Sequence, residues 1–316
     1  MHLSDALISP QVGIVGTIAA GGLIAIAASK INQTDRTDIV PLMGVMGAFV
    51  FVAQMINFTI PGTGSSGHLI GGILLASILG PWCAFLTLCS ILIVQCLIFA
   101  DGGLLALGCN ILNMAAASCL VAYPLVFKPV AGQSLKPSRL VIASILASVF
   151  ALEIGALAVT IETELSGITA LPFSTFVKFM LPIHLAIGIV EGIVTAALLI
   201  FIAKYRPEIL QWNQRNTQIK EKRGTLAPLL YVFLSITFIL GISFTVLASS
   251  NPDGLEWSVD KVAGLENFSD TQPITALMPE YDSNFAGICG ALIVMILIWA
   301  VSKLIFSKVL SKKSIK

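Results

Sequence analysis

Residues 179–203 read FMLPIHLAIGIVEGIVTAALLIFIA. A helix needs roughly 20 apolar residues to cross the hydrocarbon core of a bilayer. This run is longer, and its only ionisable side chains are His184 and Glu191. Comparable runs occupy 11–29, 38–57, 83–100, 106–127, 139–161, 226–248 and 285–307. A shorter one, 67–80, contains Gly71, Gly72 and Gly80 and stops at Pro81; it reads either as a short tilted span or as a re-entrant piece buried in protein. Of 316 residues, 56% are hydrophobic and only 11% charged, against about 25% charged in soluble domains. Mean hydropathy is +0.94. So much apolar surface excludes a water-soluble globule and a disordered chain, and a net charge of +1 offers no basic face to nucleic acid. The expected fold class is an all-α polytopic membrane protein embedded in lipid.

The charges set the direction. With residue 1 outside and nine segments alternating, 67–80 included, 16 of the 18 Lys and Arg fall in inner loops or the C-terminal tail; only Lys178 and Lys261 lie outside. Positive loops stay inside, so the N-terminus is expected outside and the C-terminus in the cytoplasm. Omitting 67–80 as a span would put basic loops on both faces. Ala25-Ile26-Ala27 has the form of a signal cleavage site, but no Lys or Arg precedes the apolar run and the run exceeds a typical signal core, so the first span is expected to be retained.

Composition divides the chain into 1–203, with seven segments on short connections; 204–225, a polar basic inner linker; and 226–316, a two-span hairpin around an outer loop. That loop, 249–284, carries Asp253, Glu256, Asp260, Glu266, Asp270, Glu280 and Asp282 against Lys261 alone. Such a field concentrates cations at an outer mouth, and equally suits a solvated loop. The six cysteines, Cys83, Cys89, Cys96, Cys109, Cys119 and Cys289, lie in or at the ends of spans, form no C-x-x-C pair and read as packing residues.

Polar groups inside a membrane protein are costly and therefore informative. His2 offers an unusual chelate. The amine of Met1, the amide nitrogen of residue 2 and its imidazole can bind one ion in adjacent small rings, nearly in a plane, and a distant histidine would complete a square. Flat nitrogen ligation suits Ni(II), Cu(II) and low-spin Co(II) rather than tetrahedral Zn(II). Met-His is also simply one way for a chain to begin. His68, behind the Gly/Ser-rich stretch 61–67, falls on the same outer side. His184 and Glu191, seven apart on one helix face, read as a hydrogen-bonded pair or as groups for metal passage or proton exchange; Glu153 carries the same ambiguity. Asn57, Asn110 and Asn113 read as supports for His68 or the N-terminal segment, or as interhelical hydrogen-bond partners. Gly21, Ala25 and Ser29 form a small-residue stripe.

No phosphate-loop, H-E-x-x-H, G-x-S-x-G or dinucleotide motif occurs. The chain is therefore expected not to be an enzyme, and any ATPase that drives it must be another protein.

The opening MHLSDALISP (1–10) resembles the start of the CbiM/NikM family, the substrate-binding subunits of cobalt and nickel energy-coupling-factor (ECF) transporters. So do 57–80, with Gly67-His68-Leu69-Ile70-Gly71-Gly72; 101–114, with Asp101, Asn110 and Asn113; and Ile189-Val190-Glu191-Gly192. The resemblance covers 1 to about 203. Residues 226–316 resemble a NikN-like partner subunit through Pro252-Asp253-Gly254-Leu255-Glu256, fused behind the first part. The chain departs from the family at Ala6, where Gly is usual, and in a longer loop before His68.

The resemblance implies a seven-segment S-component-like bundle with the N-terminal segment inserted into it, plus a C-terminal two-helix hairpin. It implies metal ligands at Met1, His2 and His68, and Ni(II) or Co(II) as transported cargo with no catalytic cofactor. It implies a transmembrane coupling subunit and ATP-binding-cassette ATPases as partners in the cell membrane. Two other readings stand beside it: a stand-alone proton-coupled divalent-metal permease using Glu153, His184 and Glu191, and a membrane metalloenzyme using His68 and His184.

Overall fold

The computed structural model describes residues 1–32, 39–213, 226–264, 276–281 and 285–313. The helices are α1 (Pro10–Asn32), α2 (Val40–Met55), α3 (Gly72–Leu79), α4 (Pro81–Phe99), α5 (Leu107–Ala131), α6 (Pro137–Ser166), α7 (Phe173–Tyr205), α8 (Ala227–Leu247), α9 (Gly254–Ala263) and α10 (Ala286–Lys313). A strand pair, β1 (Phe58–Ile60) and β2 (Ser65–Gly67), precedes α3. Seven helices, α1, α4, α5, α6, α7, α8 and α10, are long and apolar enough to cross a membrane. Each long apolar run of the sequence becomes a helix, with its ends moved by a few residues. The largest shifts are at the start of α7, which begins at Phe173 and takes in the exposed Lys178, and at the end of α10, which runs to Lys313. The basic linker is described only as far as 213, where short turns follow α7; 214–225 lie outside the described residues, as do 265–275 and 282–284 of the acidic loop.

Apolar side chains lie on both sides of these helices. One side fills the core; the other presents Ile18, Ile193, Ile239 and Ile296, all more than half exposed. In water such a surface would drive aggregation, whereas in lipid it is the ordinary outer face. α2 has 16 residues, of which all but two are buried. It is enclosed because α8 and α10 pack along it, with Phe49 edge-on to Phe233 at 5.1 Å.

The segment 67–80 resolves as a mixture. Only Gly72–Leu79 is helical, about 12 Å at 1.5 Å per residue. Residues 68–71 are irregular and reach at most about 13 Å more. Irregular backbone at membrane depth is tolerated only inside protein, and all eight residues of α3 are buried. The far end of α3 meets the turns after α7, where the Gln211 side-chain amide donates to Ile78 O at 3.0 Å. The chain thus reverses direction without a full-length helix, and α4 returns it to the end that holds the N-terminus. The Ser249 amide, just past α8, donates to Asn57 O there.

Candidate metal centre at the N-terminus

The first nine residues fold back into the bundle instead of extending α1. Met1 is 3% exposed and Leu3 fully buried. An extended segment in that position must satisfy its own peptide groups, and the start of α5 supplies the partners. The Leu3 amide donates to Asn110 Oδ1 at 2.8 Å, and Asn110 Nδ2 donates to Leu3 O at 3.0 Å. Gly103 N also donates to Leu3 O, while Asp5 Oδ1 accepts from Ala106 N at 3.0 Å. Gly108 presses on the backbone of Gly16 and Thr17, which brings α1 and α5 into direct contact. Ala6 lies in the short turn Asp5–Leu7 and is not among the residues of positive φ, so alanine serves where the family has glycine.

This path delivers the Met1 amine to 3.1 Å from His68 Nε2 and 2.6 Å from Asp253 Oδ2. The His2 and His68 rings lie 5.1 Å apart, tilted by 48°. His68 Nδ1 is 3.2 Å from Leu69 O, a contact made by the Nδ1–H tautomer. That tautomer leaves the Nε2 lone pair facing the amine. His2 Nδ1 stands 3.4 Å from Asp101 Oδ1, and the Tyr281 hydroxyl donates to Asp101 Oδ2 at 2.6 Å.

The strand pair, in the register Phe58↔Gly67, carries the chain to His68, so the longer loop does not prevent its reach. The hairpin is itself held by the C-terminal part. Ser66 N donates to Pro252 O at 2.8 Å, Ser66 Oγ to Asn251 O at 2.8 Å, and Trp257 Nε1 to Thr63 O at 3.0 Å. Asp253 caps α9, accepting from Leu255 N and Glu256 N through Oδ1, while Glu256 accepts from Asp253 N. This capping box leaves Oδ2 for the amine.

Burial pushes the His2 imidazole below its ordinary value, with Asp101 pulling the other way. Burial alone would raise Asp253, but the Met1 ammonium, His68 and the hydrogen bonds that the carboxyl accepts together outweigh that and hold it below the usual range. Glu256 is raised, first by the Asp253 charge and then by burial. A cavity of about 440 Å³ opens over these groups, lined by His2, His68, Asp101, Asp253, Glu256 and Tyr281 among others. Among the described residues, no three His, Cys, Asp or Glu side chains group closely enough to hold a metal by themselves. The nitrogens that lie close together are instead those of two imidazoles, a terminal amine and the adjoining peptide.

His184 and Glu191 do not bond each other. His184 Nδ1 meets Met180 O at 2.8 Å, and its Nε2 has no partner; the ring borders a small void with Met1, His68 and Gly254. Glu191 accepts from Ile70 N and Gly71 N. Glu153, partly exposed on α6, leaves Oε1 without a partner. Asn110 secures the N-terminal segment, Asn113 donates to Glu162 at 2.7 Å, and Asn57 lines the cavity. Asp101, Asp253 and Tyr281 were not among the ligand candidates. The D-x-x-E spacing of 253–256 is a legible helix start, but nothing local names the group that its free oxygen meets.

Residues 2–209 match the family model of the cobalt uptake substrate-specific transmembrane region, CbiM, and 227–307 match the PDGLE domain. A protein of Archaeoglobus fulgidus provisionally named a fused nickel transport protein, NikMN, is 28% identical over 96% of this chain and 98% of its own. The fused nickel transport protein NikMN of Rhodobacter capsulatus is 32% identical over 66% of this chain and 64% of its own. The crystal structure of a truncated transition metal transporter superposes with a TM-score of 0.57 at 31% identity, covering 65% of this chain and 99% of that one. These relatives are metal transport proteins, not enzymes.

Proposed function

Because the chain belongs to the CbiM family of cobalt uptake substrate-specific transmembrane regions, with a PDGLE domain behind it, we propose that it captures Ni(II) or Co(II) in a flat cage of four nitrogens. The donors are the Met1 amine, the His2 amide nitrogen and imidazole, and the His68 imidazole. The observation that carries this reading is the Met1 amine, buried and 3.1 Å from His68 Nε2, with the His2 ring 5.1 Å from that of His68. Amine and amide must give up protons to bind, so loading releases protons and weakens in acid. Planar nitrogen donors suit Ni(II) and Co(II); Cu(II) binds at least as well by the usual affinity order, so choice among them rests on geometry and supply.

The chain carries and does not power. Residues 1–203 form the binding bundle, 204–225 the cytoplasmic joint, and 226–316 the hairpin that presents Asp253 to the site. The ion enters from outside through the acidic cavity. A separate coupling subunit and ATP-binding-cassette ATPases of an ECF-type importer reorient the loaded bundle, in keeping with a chain that has no phosphate loop of its own.

Metal analysis of the untagged protein tests the ligand set. Wild type should bind one Ni(II) per chain, and His2→Ala, His68→Ala or one extra residue before Met1 should lose it at matched concentration. Full occupancy in the extended variant would overturn the reading, since its amine could no longer close the ring.

A further inference from the structure

His68 sits on backbone that belongs to no helix or strand, between β2 and α3 in a membrane protein. Peptide groups there have no water to turn to. The peptides just beyond it are held by side chains from two helices, one of them braced by a third. Glu191 of α7, 1% exposed, accepts from Ile70 N at 2.9 Å through one oxygen and from Gly71 N at 3.0 Å through the other. Gln54 of α2 donates to Ile70 O at 2.8 Å, and Gln95 of α4 donates to Gln54 at 2.9 Å. Gly71 has φ +75°, and a Cβ there would lie 2.7 Å from Val50, so the turn has no room to shift toward α2.

We propose that Glu191 is a positioning residue for the metal centre, with Gln54 as its counterpart on the other side of the same peptide. Together they fix where the His68 imidazole can stand. The proposal rests on the ligand set given above. A carboxylate receiving two consecutive amides sets both the height and the tilt of that backbone, and His68 is two residues upstream. Free of the clamp, those amides would seek other partners, and the ring would leave the amine while the Met1–His2 chelate stayed in place.

Ni(II) affinity of the untagged full chain, measured by competition with a chelator in detergent, tests this in wild type, Glu191→Gln, His68→Ala and the double variant. Glutamine keeps the shape of the side chain but puts an NH₂ against one amide. Glu191→Gln should weaken binding by about tenfold or more, the usual scale for groups that orient a ligand. The double variant should stay within about twofold of His68→Ala, because the two act through one imidazole. Wild-type affinity in Glu191→Gln, or the same tenfold loss repeated on top of His68→Ala, would overturn the proposal. Should Glu191→Gln not fold, Gln54→Leu decides by the same two comparisons. Unchanged affinity in His68→Ala would instead refute the ligand set, so the two failures are distinct.

Discussion

The Met1 amine and the Asp253 carboxylate lie 2.6 Å apart, although they stand 252 positions apart in the sequence. The pair joins the first residue of the bundle to the capping residue of α9. The PDGLE part therefore contributes a charge to the centre itself and is more than a tether for the hairpin. Strand β2 is bound to the same segment through Ser66 and Pro252, so both ends of the proposed cage, amine and His68 loop, rest on it.

Asp253→Asn separates the two roles of this residue. Asparagine keeps an oxygen for the helix cap but removes the charge, leaving the buried ammonium without its counterion. The metal-free protein should lose about 1–3 kcal/mol, the scale for stranding a buried polar group. Asp253→Ala removes the cap as well and should cost about 1 kcal/mol more. Thermal unfolding in detergent reads both, and wild-type midpoints in the two variants would show that the pair holds nothing together.

The spans were legible because hydropathy is a one-dimensional signal, and a run such as 179–203 needs no partner to be recognised. The ligand candidates were legible because histidine is scarce here and two of three fall on one side. Asp253 was visible only as one carboxylate in an acidic loop, since a contact across 252 positions leaves no periodicity. The same limit hid Tyr281, whose hydroxyl steadies Asp101. The pairing of His184 with Glu191 was the natural reading of i and i+7 on one face. The two do not bond: seven residues are about 10.5 Å along a helix, and Glu191 accepts from Ile70 N and Gly71 N while His184 meets Met180 O. The short α3 was ambiguous for a related reason: 67–80 is apolar like a span but glycine-rich like a loop, and it is partly each.

Gly155→Ala should disturb the seat of Met1 from behind. A Cβ at 155 would lie 2.5 Å from the Asn113 carbonyl oxygen and 2.6 Å from Met1 Cε. The methionine tip can move, but the carbonyl of α5 cannot without shifting the helix. Overpacking of this kind costs about 1–3 kcal/mol, and the displaced Met1 should weaken Ni(II) binding. Unaltered affinity together with an unaltered midpoint would mean that α5 and α6 yield there more easily than their packing implies.

Orientation is open to a labelling test. Ile168, between α6 and α7, lies at the end that holds Met1, and Gln133, between α5 and α6, at the other; both are exposed. The native Cys83, Cys89, Cys96, Cys109 and Cys119 are buried, and the partly exposed Cys289 is replaced by Ala in both variants. With the N-terminus outside, an impermeant maleimide added to intact cells should label Ile168→Cys, and should label Gln133→Cys only after permeabilisation. The reverse pattern would put the acidic cavity on the cytoplasmic face and refute capture from outside.

Acidity should act on the metal-free protein in two separable ways. Burial holds His2 below its ordinary 6.5 in the fold. Between that lowered value and 6.5 the unfolded chain binds a proton that the native chain refuses, so stability falls as pH drops below 6.5. One such group contributes up to ~1.4 kcal/mol per pH unit. Asp253 is also lowered, from 3.8, but as a carboxylate held ionised by the Met1 ammonium. Its contribution is fully present above 3.8 and is lost only as pH falls through its still lower folded value. The decline between pH 7 and 5 should therefore become shallower in His2→Gln. In Asp253→Asn the whole curve should sit lower, while the decline that His2 sets remains. An equally steep decline in His2→Gln would mean that the buried imidazole is not the group that refuses the proton.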